Sequence, residues 1–253
     1  MSNTRIFGIK IETGSREELL KKCAALIGRG GAISTVNPEI LKSALDDAEL
    51  KGALKESLCI PDGIGVERVI KRSGVYTERF PGVELGEELL EIREVKLGLV
   101  GGRAGVAERA MQELVMRHKN VIPEFAVSGY GINEASFVSE LKEKKPDIVF
   151  VCLGSPKQET FIMRMREHAP RTLFVALGGS LDVYSKDKKR APLIFRKIGC
   201  EWLWRVINEP NRIKRLPKTA AFFRAAAKNQ AKRVKIGKKR TKRIAFFHKS
   251  IEN

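Results

Sequence analysis

Residues 146–159 read PDIVFVCLGSPKQE, and the fold class turns on them. Ile148 to Leu153 is an unbroken apolar run with no position for a solvent-facing side chain. That is the pattern of a strand covered on both faces in a parallel sheet. Gly154-Ser155-Pro156 then turns the chain, and Pro156 suits the first turn of a helix, where a missing N–H costs nothing. Lys157, Gln158 and Glu159 fall on that turn, just past the carboxyl end of the strand. Open α/β sheets bind ligands there, and a helix N-terminus adds free N–H groups and partial positive charge for an anion. Taken alone, the stretch fits an ordinary strand–helix loop equally well.

Strand–helix alternation continues on both sides. Upstream, Arg5–Ile11 alternates as a first strand, and Ser15 with Glu18 has capping-box spacing for a helix to about Arg29, stopped by Gly30-Gly31. Ala32–Val36 reads as a strand, and Asn37-Pro38 opens a helix. Leu58-Cys59-Ile60 is a brief strand that ends at Pro61-Asp62-Gly63, with helices predicted over Ile64–Arg72 and Glu84–Glu91. Then come a strand at Leu97–Val100, a helix through His118, a strand at Glu124–Val127, a helix over Asn133–Lys144, and, after the opening stretch, a strand at Thr172–Leu177. The class is α/β, with a largely parallel sheet and helices on both faces.

After Asp182 the character changes. A basic loop, SKDKKRAP, leads to a helical pattern over Leu193–Arg215 that carries Trp202, Trp204 and a row of arginines; Pro217 interrupts it. The division read from this is a core over 1–195 and an appendage over 196–253: a helix over 196–216, then a basic tail over 217–253. The tail holds Phe222 and Phe223, a basic cluster at Lys235–Arg243, and Phe246 and Phe247. Basic residues interleaved with aromatic ones suit an anionic membrane surface.

Charge follows this division. The net charge is +18, but residues 1–210 hold 33 Lys and Arg against 29 Asp and Glu, whereas residues 211–253 hold 15 against Glu252 alone. A near-neutral fold with a basic tail seeks a polyanion, a membrane surface or a nucleic acid. No apolar run approaches the roughly 18–20 residues that span a bilayer. The start, MSNTRIFGIKIETG, lacks a signal-peptide h-region, so a cytoplasmic location is expected. Cys23, Cys59, Cys152 and Cys200 are widely spaced in apolar contexts and read as reduced core residues. His118, His168 and His248 lie apart in polar stretches and take no chemical role here. With no DxD, HExxH or clustered His and Cys, no metal site and no cofactor are expected.

Polar signatures fall at five predicted strand ends, which a parallel sheet gathers on one rim: Thr35-Val36-Asn37-Pro38, Pro61-Asp62-Gly63-Ile64-Gly65, Gly101–Gly105, Ser155–Glu159 and Gly178–Asp182. Asp62 is the best single catalytic candidate, a carboxylate able to take a proton from a hydroxyl nucleophile. Pro-Asp-Gly is also a common turn tripeptide for backbone reasons alone. The Gly101, Gly102, Gly105 spacing is not GxGxxG and no acidic ribose partner follows, which disfavours a dinucleotide-dependent oxidoreductase; GxxxxGK[ST] is absent. Arg205, Arg212 and Arg215, spaced by seven and three, share a face of a continuous helix and could clamp a diphosphate.

The ordered segments TxNPEIL (35–41), PDGxGV (61–66), ERxxGxEL (78–85), GxAGVAExA (102–110), PDIxFVxLGxPKQE (146–159), GGxxD (178–182), KRAP (189–192) and EWLWRxxxEPxRxxR (201–215) resemble the WecG/TagA/CpsF bacterial glycosyltransferases over residues 5–216. The resemblance implies a Rossmann-like core with an appendage that contributes to the site. It implies an inverting, metal-independent transfer from a UDP-sugar to a polyprenyl-diphosphate-linked N-acetylglucosamine on the inner face of the cell membrane, for teichoic acid or another surface polysaccharide. N-acetylmannosamine or a related N-acetylhexosamine is the implied sugar, and self-association is expected. Asp62 then corresponds to the general base, with Thr35 and Gln158 beside it. Substrate contacts are implied for Asn37, Arg79, Gly101, Gly102, Lys157, Glu159, Gly178, Gly179, Asp182, Arg190, Arg205, Arg212 and Arg215. Departures at Val36, Ala104, Gly131, Ser180-Leu181 and Ser185-Lys186 leave the donor open, UDP-glucose included. A nucleic-acid-binding protein that has lost its chemistry is the alternative outside the enzyme class. Paired Phe residues and the lack of any RNA-module signature weigh against it.

Overall fold

The apolar runs assemble into one eight-stranded sheet. In the computed structural model, which describes residues 4–228, the strands are β1 (Thr4–Ile6), β2 (Ile9–Ile11), β3 (Gly31–Val36), β4 (Leu58–Pro61), β5 (Val95–Gly101), β6 (Val121–Val127), β7 (Ile148–Cys152) and β8 (Leu173–Ala176). Their order is β1-β2-β4-β3-β8-β7-β5-β6, antiparallel between β1 and β2 and parallel elsewhere. The helices that accompany them begin with α1 (Arg16–Ala24), α2 (Pro38–Asp46), α3 (Ala48–Lys55), α4 (Ile64–Lys71), α5 (Gly82–Glu91), α6 (Val106–Arg117), α7 (Glu134–Lys144), α8 (Lys157–Arg166), α9 (Ser180–Tyr184), α10 (Leu193–Lys197) and α11 (Glu201–Asn208). A 3-10 turn over Pro210–Arg215 and a further helix over residues 216–228 follow.

The opening stretch is the middle of this architecture. All five residues of β7 are buried, between β5 and β8. Ile148 and Phe150 pack on one side with α1, α5, α6 and α9, and Val149 and Val151 on the other with α7 and α8. A third cluster joins the β1–β2 hairpin to α2, α3 and α4. Period-two alternation thus feeds two apolar layers at once, which is why the strand carries no polar position.

Local signals explain most boundaries. Ser15 and Glu18 make the reciprocal capping box, although α1 ends at Ala24 rather than Arg29. Asn37 Oδ1 accepts from the amides of Glu39 and Ile40, both at 3.0 Å, and so starts α2. Helix α3 was not predicted. Asp47 both ends α2 and caps α3, its side chain accepting from Leu50 N at 2.9 Å, so no Gly or Pro marks the break.

Four expectations need correction. Arg5–Ile11 is a hairpin rather than one strand: Phe7 and Gly8 both take positive φ (54° and 85°), the geometry of a tight turn that pairs Ile6 with Ile9. The helix over 193–215 is three pieces, broken at Gly199 (φ 75°) and at Glu209, which precedes Pro210 and leaves the helical region (φ −133°, ψ 78°). Pro217 does not interrupt a helix; it lies in the first turn of the one over 216–228, where proline is tolerated. Phe222, assigned to the membrane-facing tail, is fully buried, edge-on to Phe7 with centroids 5.8 Å apart. Its helix covers the apolar side of the hairpin and of α4, which outweighs exposure to a lipid surface. Lys235–Arg243, Phe246 and Phe247 lie outside the described residues.

Candidate active site

Parallel strands deliver their carboxyl ends to one rim, and the loops leaving β3, β4, β7 and β8 meet there. Two cavities open on it. The larger, about 1110 Å³, is walled by residues just past the strand ends of the core, including Gly102, Lys157, Gly178, Gly179 and Asp182. Nine Lys and Arg side chains and five Asp and Glu line it, an excess that suits phosphate oxygens. The smaller, about 520 Å³, is more apolar; Ile64, Val83, Trp202, Val206 and Phe223 contribute to it. Asp62 lies in the wall of both, as do Asn37, Arg205, Arg212 and Arg215.

Backbone ties place Asp62. Its amide donates to Val36 O at 2.9 Å, one step beyond the Val36–Pro61 register pair, while Phe80 N donates to Pro61 O at 2.8 Å. Gly63 follows with φ 80°, turning the chain into α4 so that Asp62 stays on the rim. Burial is the largest influence on its carboxyl and pushes the pKa up to about 6. Arg205 opposes that rise, Glu201 adds to it, Arg79 opposes it and Glu84 adds to it. A carboxylate held near neutrality is the state a general base needs.

The neighbours divide into those that face the cavities and those that support them. Thr35 is buried and its hydroxyl donates to Ala176 O at 3.0 Å, stitching β3 to β8 behind the rim; it reaches the larger cavity. Gln158 Oε1 accepts from Gly178 N at 3.0 Å and Gln158 Nε2 donates to Glu159 Oε1 at 2.9 Å. Asp182 pairs with Lys188 at 2.7 Å. Arg79 lines the smaller cavity and donates to Arg196 O, tying α10 to the core. The break in the predicted helix does not scatter the arginines. Arg205 pairs with Glu201 (3.3 Å), Arg212 with Glu209 (2.9 Å) and Arg215 with Glu39 of α2 (3.7 Å).

The family profile described as "Glycosyl transferase WecG/TagA/CpsF family" matches residues 4–236. The chain belongs to this family. Among its relatives, the N-acetylglucosaminyldiphosphoundecaprenol N-acetyl-beta-D-mannosaminyltransferases of Staphylococcus aureus strains MW2 and NCTC 8325 are each 36% identical over 205 residues, covering 79% of this chain and 81% of theirs. That of strain MRSA252 is 35% identical over the same share. The chain is a WecG/TagA/CpsF glycosyltransferase.

Three residues singled out in the sequence stand outside both cavity walls of this family member. Gly101 packs so closely on β7 that an added Cβ would sit 2.4 Å from Cys152 O, so it lets two strand ends converge and Gly102 faces the space. Glu159 is 1% exposed, beneath the wall. Arg190 is held by Glu84, which also pairs with Arg16. Conversely, Arg103, Tyr130, Lys188 and Lys218 line the larger cavity and were not singled out. Arg103 lies inside the glycine loop already marked; Lys188 and Lys218 were hidden in basic runs read as loop and tail. Among the described residues no three His, Cys, Asp or Glu side chains group as a metal site, and no helix is long and apolar enough to cross a membrane.

Proposed function

We propose that this enzyme transfers N-acetylmannosamine, or a related N-acetylhexosamine, with inversion and without a metal, from a UDP-sugar to a polyprenyl-diphosphate-linked N-acetylglucosamine at the inner membrane face, in cell-wall polymer synthesis. The observation that carries the reading is the position of Asp62, a carboxyl titrating near 6 at the junction of a basic polar cavity and an apolar one. A nucleotide sugar is polar and doubly phosphorylated, which fits the larger space. A lipid-linked sugar is apolar beyond its diphosphate, which fits the smaller. The sugars are those named in the activity of the Staphylococcus aureus relatives.

In the step envisaged, ionised Asp62 accepts the proton of an acceptor-sugar hydroxyl as that oxygen attacks the anomeric carbon of the donor. The bond between that carbon and the β-phosphate oxygen breaks, and UDP departs with the electron pair. Arg205, Arg212 and Arg215 offer fixed cationic donors to the diphosphates, stabilising charge where it develops. The appendage also supports docking at a lipid surface: Leu193, Ile194, Ile198, Ile207 and Ile213 are 57–66% exposed in a segment rich in Lys and Arg. Interfacial elements combine apolar side chains and basic ones in this way.

The test is UDP release from a panel of UDP-sugars, with a short-chain polyprenyl-diphosphate-N-acetylglucosamine and vesicles containing anionic lipid, beside Asp62→Asn. Acceptor-dependent release from UDP-N-acetylmannosamine, reduced about a thousandfold in the variant, is the expected result. Equal release by both proteins removes Asp62 as the base. Silence across the panel, vesicles included, removes the reading.

A further inference from the structure

Gln158 and Glu159 are consecutive, both almost wholly buried (2% and 1% exposed), yet only Gln158 reaches a cavity wall. We propose that Glu159 is a positioning residue: it holds the Gln158 amide in one orientation, so that Gln158 braces the loop after β8 and presents its remaining N–H to the donor sugar. This rests on the reading of the larger cavity as the donor site.

The hydrogen bonds carry the argument. Gly178 N–H can only donate, so the Gln158 group facing it is the carbonyl oxygen, at 3.0 Å. The amide nitrogen then faces Glu159 Oε1 at 2.9 Å. Rotating the amide by half a turn would oppose N–H to N–H on one side and oxygen to oxygen on the other. Two partners, one on the loop after β8 and one on α8 itself, therefore lock one small group, and one amide N–H remains unspent beside the cavity that Gln158 lines. Gly178 can offer its N–H at this point because the turn takes φ 57°.

Apart from Gln158, the Glu159 carboxyl meets only its own backbone amide and the Ser155 side chain. Its Oε2 is buried and without a partner. Burial raises its pKa, outweighing the Gln158 amide, the Glu159 backbone and Ser155, all of which favour the ionised form. A neutral acid still offers one acceptor oxygen, which is all the Gln158 amide requires. A buried, half-satisfied carboxyl lowers stability relative to an apolar side chain of the same length. Its presence is accounted for by what it does to its neighbour.

A double-mutant cycle on the full chain tests this, read by kcat/KM for sugar transfer and by the side-chain amide resonances of Gln158 in 15N-labelled protein. Glu159→Met is expected to lose about tenfold in kcat/KM, as much as Gln158→Met, and the pair together less than about twofold more. Its Tm should hold or rise. Glu159→Gln, which keeps an acceptor, should stay within about threefold of the parent. The Gln158 amide pair should move in Glu159→Met and not in Glu159→Gln. A full second loss in the Gln158→Met background overturns the proposal, as does an unmoved amide pair in Glu159→Met. If the parent transfers no sugar, the proposed reaction falls, while the amide resonances still decide the role of Glu159.

Discussion

Strand β7 and the segment over residues 193–208 are built on opposite terms. Every residue of β7 is buried, and none of α10 or α11 is. The first is fixed by apolar burial on two faces. The second is held to the core by polar ties from Arg196, whose carbonyl accepts from Arg79 and whose guanidinium pairs with Glu84, and its flanks are pinned by Glu84 to Arg190 and by Lys188 to Glu209. The side chains of these ion pairs are 17–42% exposed, and for partly buried pairs the cost of desolvation cancels much of the attraction. The stability of the fold therefore resides in the sheet, and the segment that borders the two cavities is attached to it mainly through polar contacts. Elements that must move or be completed by another surface come from this low-stability end.

The comparison can be broken at four points. Phe222→Ala removes a fully buried ring where the chain returns to the core, so about 3–5 kcal/mol of unfolding free energy should go, read by urea denaturation. A loss under about 1 kcal/mol would place the helix over 216–228 with the segment over residues 193–208 instead. Arg205→Gln should cost about thirtyfold in kcat/KM, roughly 2 kcal/mol. Because Arg205 lowers the Asp62 pKa, the acid limb of the pH–rate profile should also shift upward from about 6. A limb that stays in place would separate the appendage from the base.

Asp62→Asn sharpens the contrast from the core side. A carboxyl whose folded pKa is about 6, against an ordinary 3.8, leaves the folded state holding more protons in between. Native stability then falls as pH rises from about 4 through 6 and stays lower above. Asparagine escapes this, so the variant should gain about 1–2 kcal/mol at pH 8, with the gain gone by about pH 4, as thermal scans at both would show. Ile207→Ser should change stability by less than about 0.5 kcal/mol yet weaken binding to anionic vesicles in a flotation assay. If flotation is unchanged, the exposed apolar residues have another partner.

The sequence disclosed what depends on local pattern. The apolar run at Ile148–Leu153, a strand as far as Cys152, the capping box at Ser15 and the Asn37 cap all form, because each signal lies within a few residues of its effect. The placement of Phe222 did not show, since the hairpin that buries it lies at the other end of the chain. The Asp62 tripeptide alone was ambiguous with a turn, and it is in fact both: a turn into α4 and a wall of two cavities. Glu159 was read as a substrate contact because the resemblance carries the whole PKQE segment. Consecutive helical residues point about 100° apart, so one faces the cavity and the other the layer beneath. Arg205, Arg212 and Arg215 reached the same cleft for a reason periodicity did not supply, the breaks at Gly199 and Glu209.

The three arginines stand in the walls of both cavities at once. On the proposed assignment of the larger cavity to the donor and the smaller to the acceptor, a shift of these arginines reaches both seats at once. Turnover should then run through a ternary complex, with both substrates aboard before either product leaves. Initial-rate lines at varied donor and acceptor should intersect rather than run parallel. On that assignment, seating both substrates against one set of arginines would tie the donor's reaction to the presence of the acceptor and spare the activated sugar from water.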